Sequence, residues 1–278
     1  MKSQDPYILA NPPLLQPAHG TKTYEVSLRT KITGLEKPID TSTTYILEIE
    51  YSGHFFEFKK SNLKIDNKAT KKKIDDLYIV AAAPLSHIKF SCTPKGQIER
   101  LHNYKHVLKS WERSKTIIEH EFNGTPTARF IKLMDRKYNN KGMLIQQLSN
   151  DFVLNTFYRS FLNDYLIYYG KSVGVFTNSN LIGTIPLALS IKKSLRLEED
   201  HLVLESQATL NKEKTNIKAL EAYFTSKGLS FNKDALEVVA EDHSLLDYKS
   251  VWIQKTKSVQ TVVTDTYKKE ITITLISI

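Results

Sequence analysis

From Tyr24 onward apolar and polar positions alternate, with Tyr24, Val26, Leu28 and Ile32 interleaved by Glu25, Ser27, Arg29 and Lys31. A period of two is that of a strand with one buried face. The same period runs through Tyr45, Leu47, Ile49 and Tyr51, after which Ser52-Gly53 turns the chain into His54-Phe55-Phe56-Glu57-Phe58, the pattern of a hairpin. Ile88, Phe90 and Cys92 alternate again, and Thr93-Pro94-Lys95-Gly96 suits a type I turn into Gln97–Leu101.

The period then lengthens to 3.6. Tyr104, Val107, Leu108, Trp111, Ile118 and Phe122 fall on one stripe, which predicts an amphipathic helix ended by Asn123-Gly124. Thr125-Pro126 reads as an N-cap and first-turn proline for a second helix with the stripe Phe130, Leu133, Met134 and Tyr138. Apolar spacing from Met143 to Tyr165 predicts one or two more helices before Gly170.

Alternation returns after the polar stretch 171–183, in Ile185–Ile191 and Leu202–Leu210, with Glu198-Glu199-Asp200 at the bend between them. One helix carries Ile217, Leu220 and Phe224 and closes at Lys227-Gly228. Strands are then expected at Leu236–Ala240, Val251–Thr264 and Glu270–Ile278. The fold class expected is α+β, a mostly antiparallel sheet in two β-rich parts with a helical middle segment packed on them. The parts are 23–122, ending in the first helix, the helical 123–170, and 171–278; their similar order of strands hints at a duplicated unit.

Residues 1–22 hold four of the nine prolines, with Tyr7, Ile8, Leu9, Leu14 and Leu15 between them. Proline lacks the amide donor and favours extended backbone, so this segment reads as an arm docked on the protein or on a neighbour.

Charge adds little to this reading. The net charge of +9 is spread as 19 basic against 14 acidic groups in 1–122, 6 against 3 in 123–170 and 14 against 13 in 171–278. The single tight run, Lys71-Lys72-Lys73, is followed by Asp75-Asp76 and reads as a solvated loop, so no specific nucleic acid is expected as partner. No stretch reaches the roughly 20 apolar residues of a membrane-spanning helix. The N-terminus lacks the uninterrupted apolar run of a secretory signal, and a cytoplasmic protein is expected unless a signal peptide was removed.

Few residues form patterns that carry chemistry. Ten glycines supply neither GxGxxG nor GxxxxGK[ST], and no GxSxG occurs, so neither a nucleotide cofactor nor a nucleophile elbow is expected. His102 and His106 share a helical spacing, but the glutamate of the zinc-protease helix is missing. Glu-Asp-His occurs at 199–201 and again at 241–243, both placed at turns, which leaves His201 and His243 as further weak metal candidates. No metal or cofactor is expected. Cys92, the single cysteine, is in phase with Ile88 and Phe90 and reads as a small core residue.

The 28 aromatic residues, 14 Tyr, 12 Phe and 2 Trp, are the most distinctive feature. They point to a non-catalytic structural or interaction subunit, self-assembling or binding protein partners through Phe55, Phe56 and Phe58 and through Tyr7, Ile8, Leu9, Leu14 and Leu15 of the arm. A lipid-like ligand held in an apolar sheet–helix pocket is the alternative, and an enzyme of unrecognised type the second alternative.

Overall fold

The alternating segments pair edge to edge because a strand satisfies its amides only through a neighbour. The computed structural model describes residues 16–67, 73–93, 97–122, 124–161, 171–178 and 180–278. Its strands are β1 (Gly20–Thr33), β2 (Ile39–Tyr51), β3 (Phe56–Asn67), β4 (His87–Cys92), β5 (Ile98–Leu101), β6 (Lys171–Asn178), β7 (Leu187–Glu198), β8 (His201–Leu210), β9 (Glu237–Asp247), β10 (Ile253–Val263) and β11 (Lys268–Ser277). All join one sheet in the order β5-β4-β3-β2-β1-β11-β10-β9-β8-β7-β6. Every pairing is antiparallel, and the two β-rich parts meet where β1 pairs with β11, Leu28 opposite Ile273. An α+β fold is what the periods predicted.

The helices are α1 (Lys73–Ala82), α2 (Tyr104–Glu121), α3 (Thr125–Tyr138), α4 (Lys141–Ser149), α5 (Phe152–Phe161) and α6 (Ile217–Ser226), with a 3₁₀ turn at Ala83–Leu85. Helix α2 buries Val107, Trp111 and Ile118 of the expected stripe, and Ser114 with them. Asn140 and Asn216 cap α4 and α6 by accepting from the amides of Met143 (3.0 Å) and Ala219 (3.1 Å). At α3 the cap position is Gly124, with φ of 114°, and Thr125 lies inside the helix, one residue from the expected boundary. Leu133, placed on the buried stripe by spacing, is 64% exposed; the face of α3 that meets the protein carries Phe130, Met134 and Tyr138.

Helix α5 lies over the middle of the sheet, in contact with β9, β10 and β11. Its Phe157 ring meets Phe56 and Phe58 edge-on at 5.8 and 5.3 Å, and Tyr158 meets Phe56 and Phe90 at 6.2 and 6.1 Å. These aromatics form the centre of one core shared by sheet and helices. Two elements depart from the expectation. Helix α1 opens on Lys73, the last lysine of the run read as a loop, with Asp75 and Asp76 in its first turn, where they favour the positive end of the helix. Strand β6 lies in the polar stretch 171–183, where the sequence pattern predicts no strand, and is an edge strand supported by β7 alone among the described residues.

Residues 20–22, assigned to the arm, are the first three of β1, while Tyr7, Ile8, Leu9, Leu14 and Leu15 lie outside the described residues, as do Pro94, Lys95 and Gly96 of the expected turn. Of the arm's described end, Pro17 is buried and the Ala18 amide donates to the Ser250 carbonyl at 2.7 Å. Among the described residues no helix is long and apolar enough to cross a membrane.

Candidate functional site: an apolar cleft between sheet and helices

Strand β3 changes phase midway. Ile46 pairs with Ser61 but Thr44 with Lys64, so one extra residue is accommodated, and Asn62 takes φ of 55°. Phe56, Phe58 and Lys60 face the helices before this bulge; beyond it Leu63 and Ile65 do, where unbroken alternation would have put Asn62 and Lys64. The bulge therefore gives the inner face of β1–β3 an apolar corner made of Leu28, Tyr45, Leu63 and Ile65.

Helices α1 and α3 and the start of α5 stand over that corner without filling it. A cleft of about 630 Å³ remains, walled on the helical side by Ile79, Leu85, Phe130, Met134, Phe152 and Val153. Its frame is rigid. The Tyr138 hydroxyl donates to the Ala81 carbonyl at 3.1 Å, tying α3 to α1, and the Tyr104 hydroxyl donates to the Tyr138 carbonyl at 2.9 Å, tying α2 to α3. Trp111 stacks on Tyr138 at 4.9 Å and donates to Asp135 at 2.8 Å, and Lys115 binds the other oxygen of that carboxylate at 2.9 Å.

Among the described residues three charged side chains reach the cleft. Asp151 is occupied in capping α5, its Oδ1 accepting from the Leu154 amide at 2.9 Å. The Lys60 ammonium lies 5.2 Å from the centre of the Tyr45 ring, a cation–π contact. Lys137 is half-buried on the wall, and burial lowers its pKa to about 8. Burial likewise holds the Tyr45 phenol well above its ordinary range, so it stays neutral. Mostly apolar walls with a few polar groups are the make-up common to small-molecule pockets.

The expected site residues lie elsewhere. Phe56 and Phe58 are 3% and 0% exposed in the core, leaving no area for a partner. Phe55 is half-buried beneath the Lys89 ammonium, 3.6 Å from its ring centre. His102 precedes α2 beside Phe55, and burial lowers its pKa, aided by Arg100, Lys89 and Lys141; His106 packs on His87 with ring centres 5.4 Å apart.

The second Glu-Asp-His lies within β9 rather than at a turn, and the strand's period splits it. Asp242 faces inward, accepting from the Ser206 hydroxyl at 2.6 Å, while Glu241 and His243 point to the opposite face, His243 3.9 Å from Glu205. The first lies at the β7–β8 turn, where Glu199 has φ of 53° and His201 pairs with Asp247. Four residues of strand, roughly 13 Å, separate His201 from Glu205, so the two groups do not converge. Among the described residues no three His, Cys, Asp or Glu side chains are grouped to hold a metal ion. Burial raises the Cys92 thiol to about 12, which keeps it protonated.

Sequence reasoning passed over Lys60, Leu63, Ile65 and Lys137. The signal for the strand residues is the change of phase between Phe58 and Leu63. For Lys137 it is the spacing Phe130, Met134, Lys137, which puts a charge on an apolar helical stripe.

No protein-family model matches the chain, and no curated protein does. Among solved structures, one titled "Lipid-protein interactions in lipovitellin" matches with a TM-score of 0.50 and 10% sequence identity, over 95% of this chain and 25% of that one. At that identity the likeness concerns the fold alone, and this chain spans about a quarter of that protein's length.

Proposed function

We propose that the chain binds an apolar ligand of acyl-chain type in the cleft between β1–β3 and the helices. The observation that carries this reading is the partly enclosed space of about 630 Å³ with apolar walls on both sides, within the roughly 300–1,000 Å³ typical of small-molecule sites. Ten methylenes moved there from water contribute about 8 kcal/mol, from which the ordering of the chain subtracts. The lipovitellin structure is titled for lipid–protein interactions, and an acyl ligand is of that chemical kind.

Solvent extraction of purified protein followed by mass spectrometry tests for retained lipid, and an environment-sensitive fluorescent acyl probe tests for uptake. Ala82 is exposed at the cleft, so Ala82→Trp fills space without disturbing the core. Probe binding in the native chain and its weakening in A82W are expected. Absence of probe binding at tens of micromolar protein defeats the reading.

A second reading, a structural or interaction subunit, is favoured by the outer edge of β6, which no strand among the described residues pairs and where Val173 and Val175 are 78% and 50% exposed. Association that V173K/V175K abolishes in size-exclusion chromatography is its expected sign; a monomer at all concentrations counts against it.

A further inference from the structure

Two half-buried lysines of this chain are treated differently by the fold. Burial lowers the pKa of both Lys269 and Lys137. The Lys269 ammonium donates to the Leu181 and Asn180 carbonyls at 2.8 and 3.4 Å, which offsets its lost hydration. Lys137 has no hydrogen bond or ion pair among the described residues; the nearest compensation is the Tyr138 ring, 5.4 Å away.

Its position makes this costly. Lys137 follows Phe130 and Met134 on the face of α3 that lines the cleft, where an apolar residue would complete the wall. The last turn of a helix favours a cation, but that preference is equally served by Arg136, which is exposed. None of the other described groups facing the cleft pairs with it. Asp151 caps α5 through Oδ1 and offsets one of the two lysine charges without touching Lys137, Tyr45, Tyr78 and Tyr138 are phenols, and with Lys60 on the opposite wall the lining keeps a net positive charge. Asp135, on Lys137's own helix, is held by Trp111 and Lys115. An apolar cleft with an unmatched ammonium on its wall is complementary to a molecule that is apolar along its length and negative at one end.

We propose that the cleft takes a single acyl chain ending in a carboxylate, with the Lys137 ammonium holding the head and the corner of Leu28, Leu63, Ile65, Phe130 and Met134 taking the chain. This rests on the reading of the cleft as an apolar-ligand site. A carboxylate meeting the ammonium restores the charged hydrogen bond that the fold leaves unmade, and a neutral head does not.

The test compares palmitic acid with hexadecanol by displacement of a fluorescent acyl probe, in the native chain and in Lys137→Met, at pH 7 and 9.5. The native chain is expected to bind the acid about ten- to a hundredfold more tightly at pH 7. K137M is expected to lose that preference while keeping its affinity for the alcohol. In the native chain the preference shrinks as pH rises, because the ammonium loses its proton; should K137M fail to fold, this pH series decides. Equal binding of acid and alcohol at pH 7 overturns the head-group inference and leaves the cleft reading standing. A preference that persists in K137M also overturns it, and shifts the head to Lys60. If neither compound displaces the probe, or the probe does not bind, both readings fall.

Discussion

Phe58 separates an aromatic surface from an aromatic core. Its ring is 0% exposed and sits 5.2, 5.3 and 6.2 Å from Phe90, Phe157 and Phe56, bridging β3, β4 and α5. Truncation by Phe58→Ala removes a full aromatic side chain from a site walled by other rings, which have little freedom to collapse, so a loss of about 4 kcal/mol is expected. For a chain of this length that lowers the melting temperature by roughly 10 °C. The more discriminating measurement is a double-mutant cycle in urea with Phe58→Leu and Phe157→Leu. An edge-to-face pair contributes about 0.5–1.5 kcal/mol beyond its buried area, and the cycle isolates that coupling. Phe55→Ala, at a half-buried ring, is the control and should cost about 1 kcal/mol or less. A coupling under about 0.3 kcal/mol, or an F58A chain as stable as F55A, refutes the placement of α5 on β3 and with it the helical wall of the cleft.

Three further outcomes are expected. A methyl at Gly34 would lie 1.9 Å from the Thr266 carbonyl oxygen at a φ of 85°, so Gly34→Ala should cost more than about 2 kcal/mol, read by thermal melting; native stability would show that the β1–β2 turn does not touch the β10–β11 turn. Burial acts to raise the pKa of Asp135, but hydrogen bonds from Lys115 and Trp111 outweigh it and leave it lowered. That contribution is complete above the unfolded value of about 3.9 and lost as pH falls through the folded one. Asp135→Asn should therefore flatten the acid limb of a stability–pH curve, and an unchanged limb argues against the triad. Cys92, with its thiol raised to about 12, should resist iodoacetamide at pH 8 in the native chain and react on unfolding; native labelling at the rate of a free thiol contradicts its burial.

What the sequence shows clearly is whatever obeys one period. The strands around Tyr24–Ile32 and Tyr45–Tyr51 and the helix from Tyr104 need only an apolar face and a polar one. Period places Phe56 and Phe58 on a common face without saying what lies over it, since the covering Phe157 comes from a helix far along the chain. Strand β9 reads as shorter than it is because its inner face turns polar at Asp242. The polarity has a structural cause: Lys193, Ser206, Asp242 and Ser258 lie opposite one another on β7, β8, β9 and β10, a row of buried polar side chains across four strands. Strand β6 escaped because Gly174 and its polar neighbours resemble a loop, and an edge strand needs support on one side only. The cleft depends on a bulge and on a lysine in an apolar stripe, both exceptions to the period, and exceptions acquire meaning only when distant segments are brought together.

The β1–β11 seam bears on how the molecule is made. Tyr24 finds its ladder partner at Ser277, so during synthesis β1 leaves the ribosome long before the strand that completes it. Until then one flank of the early meander offers bare amides and carbonyls to any passing strand. Closure of this seam, a contact of very large sequence separation, is expected to be slow, leaving a window in which a chaperone, or another nascent copy, can reach the edge first.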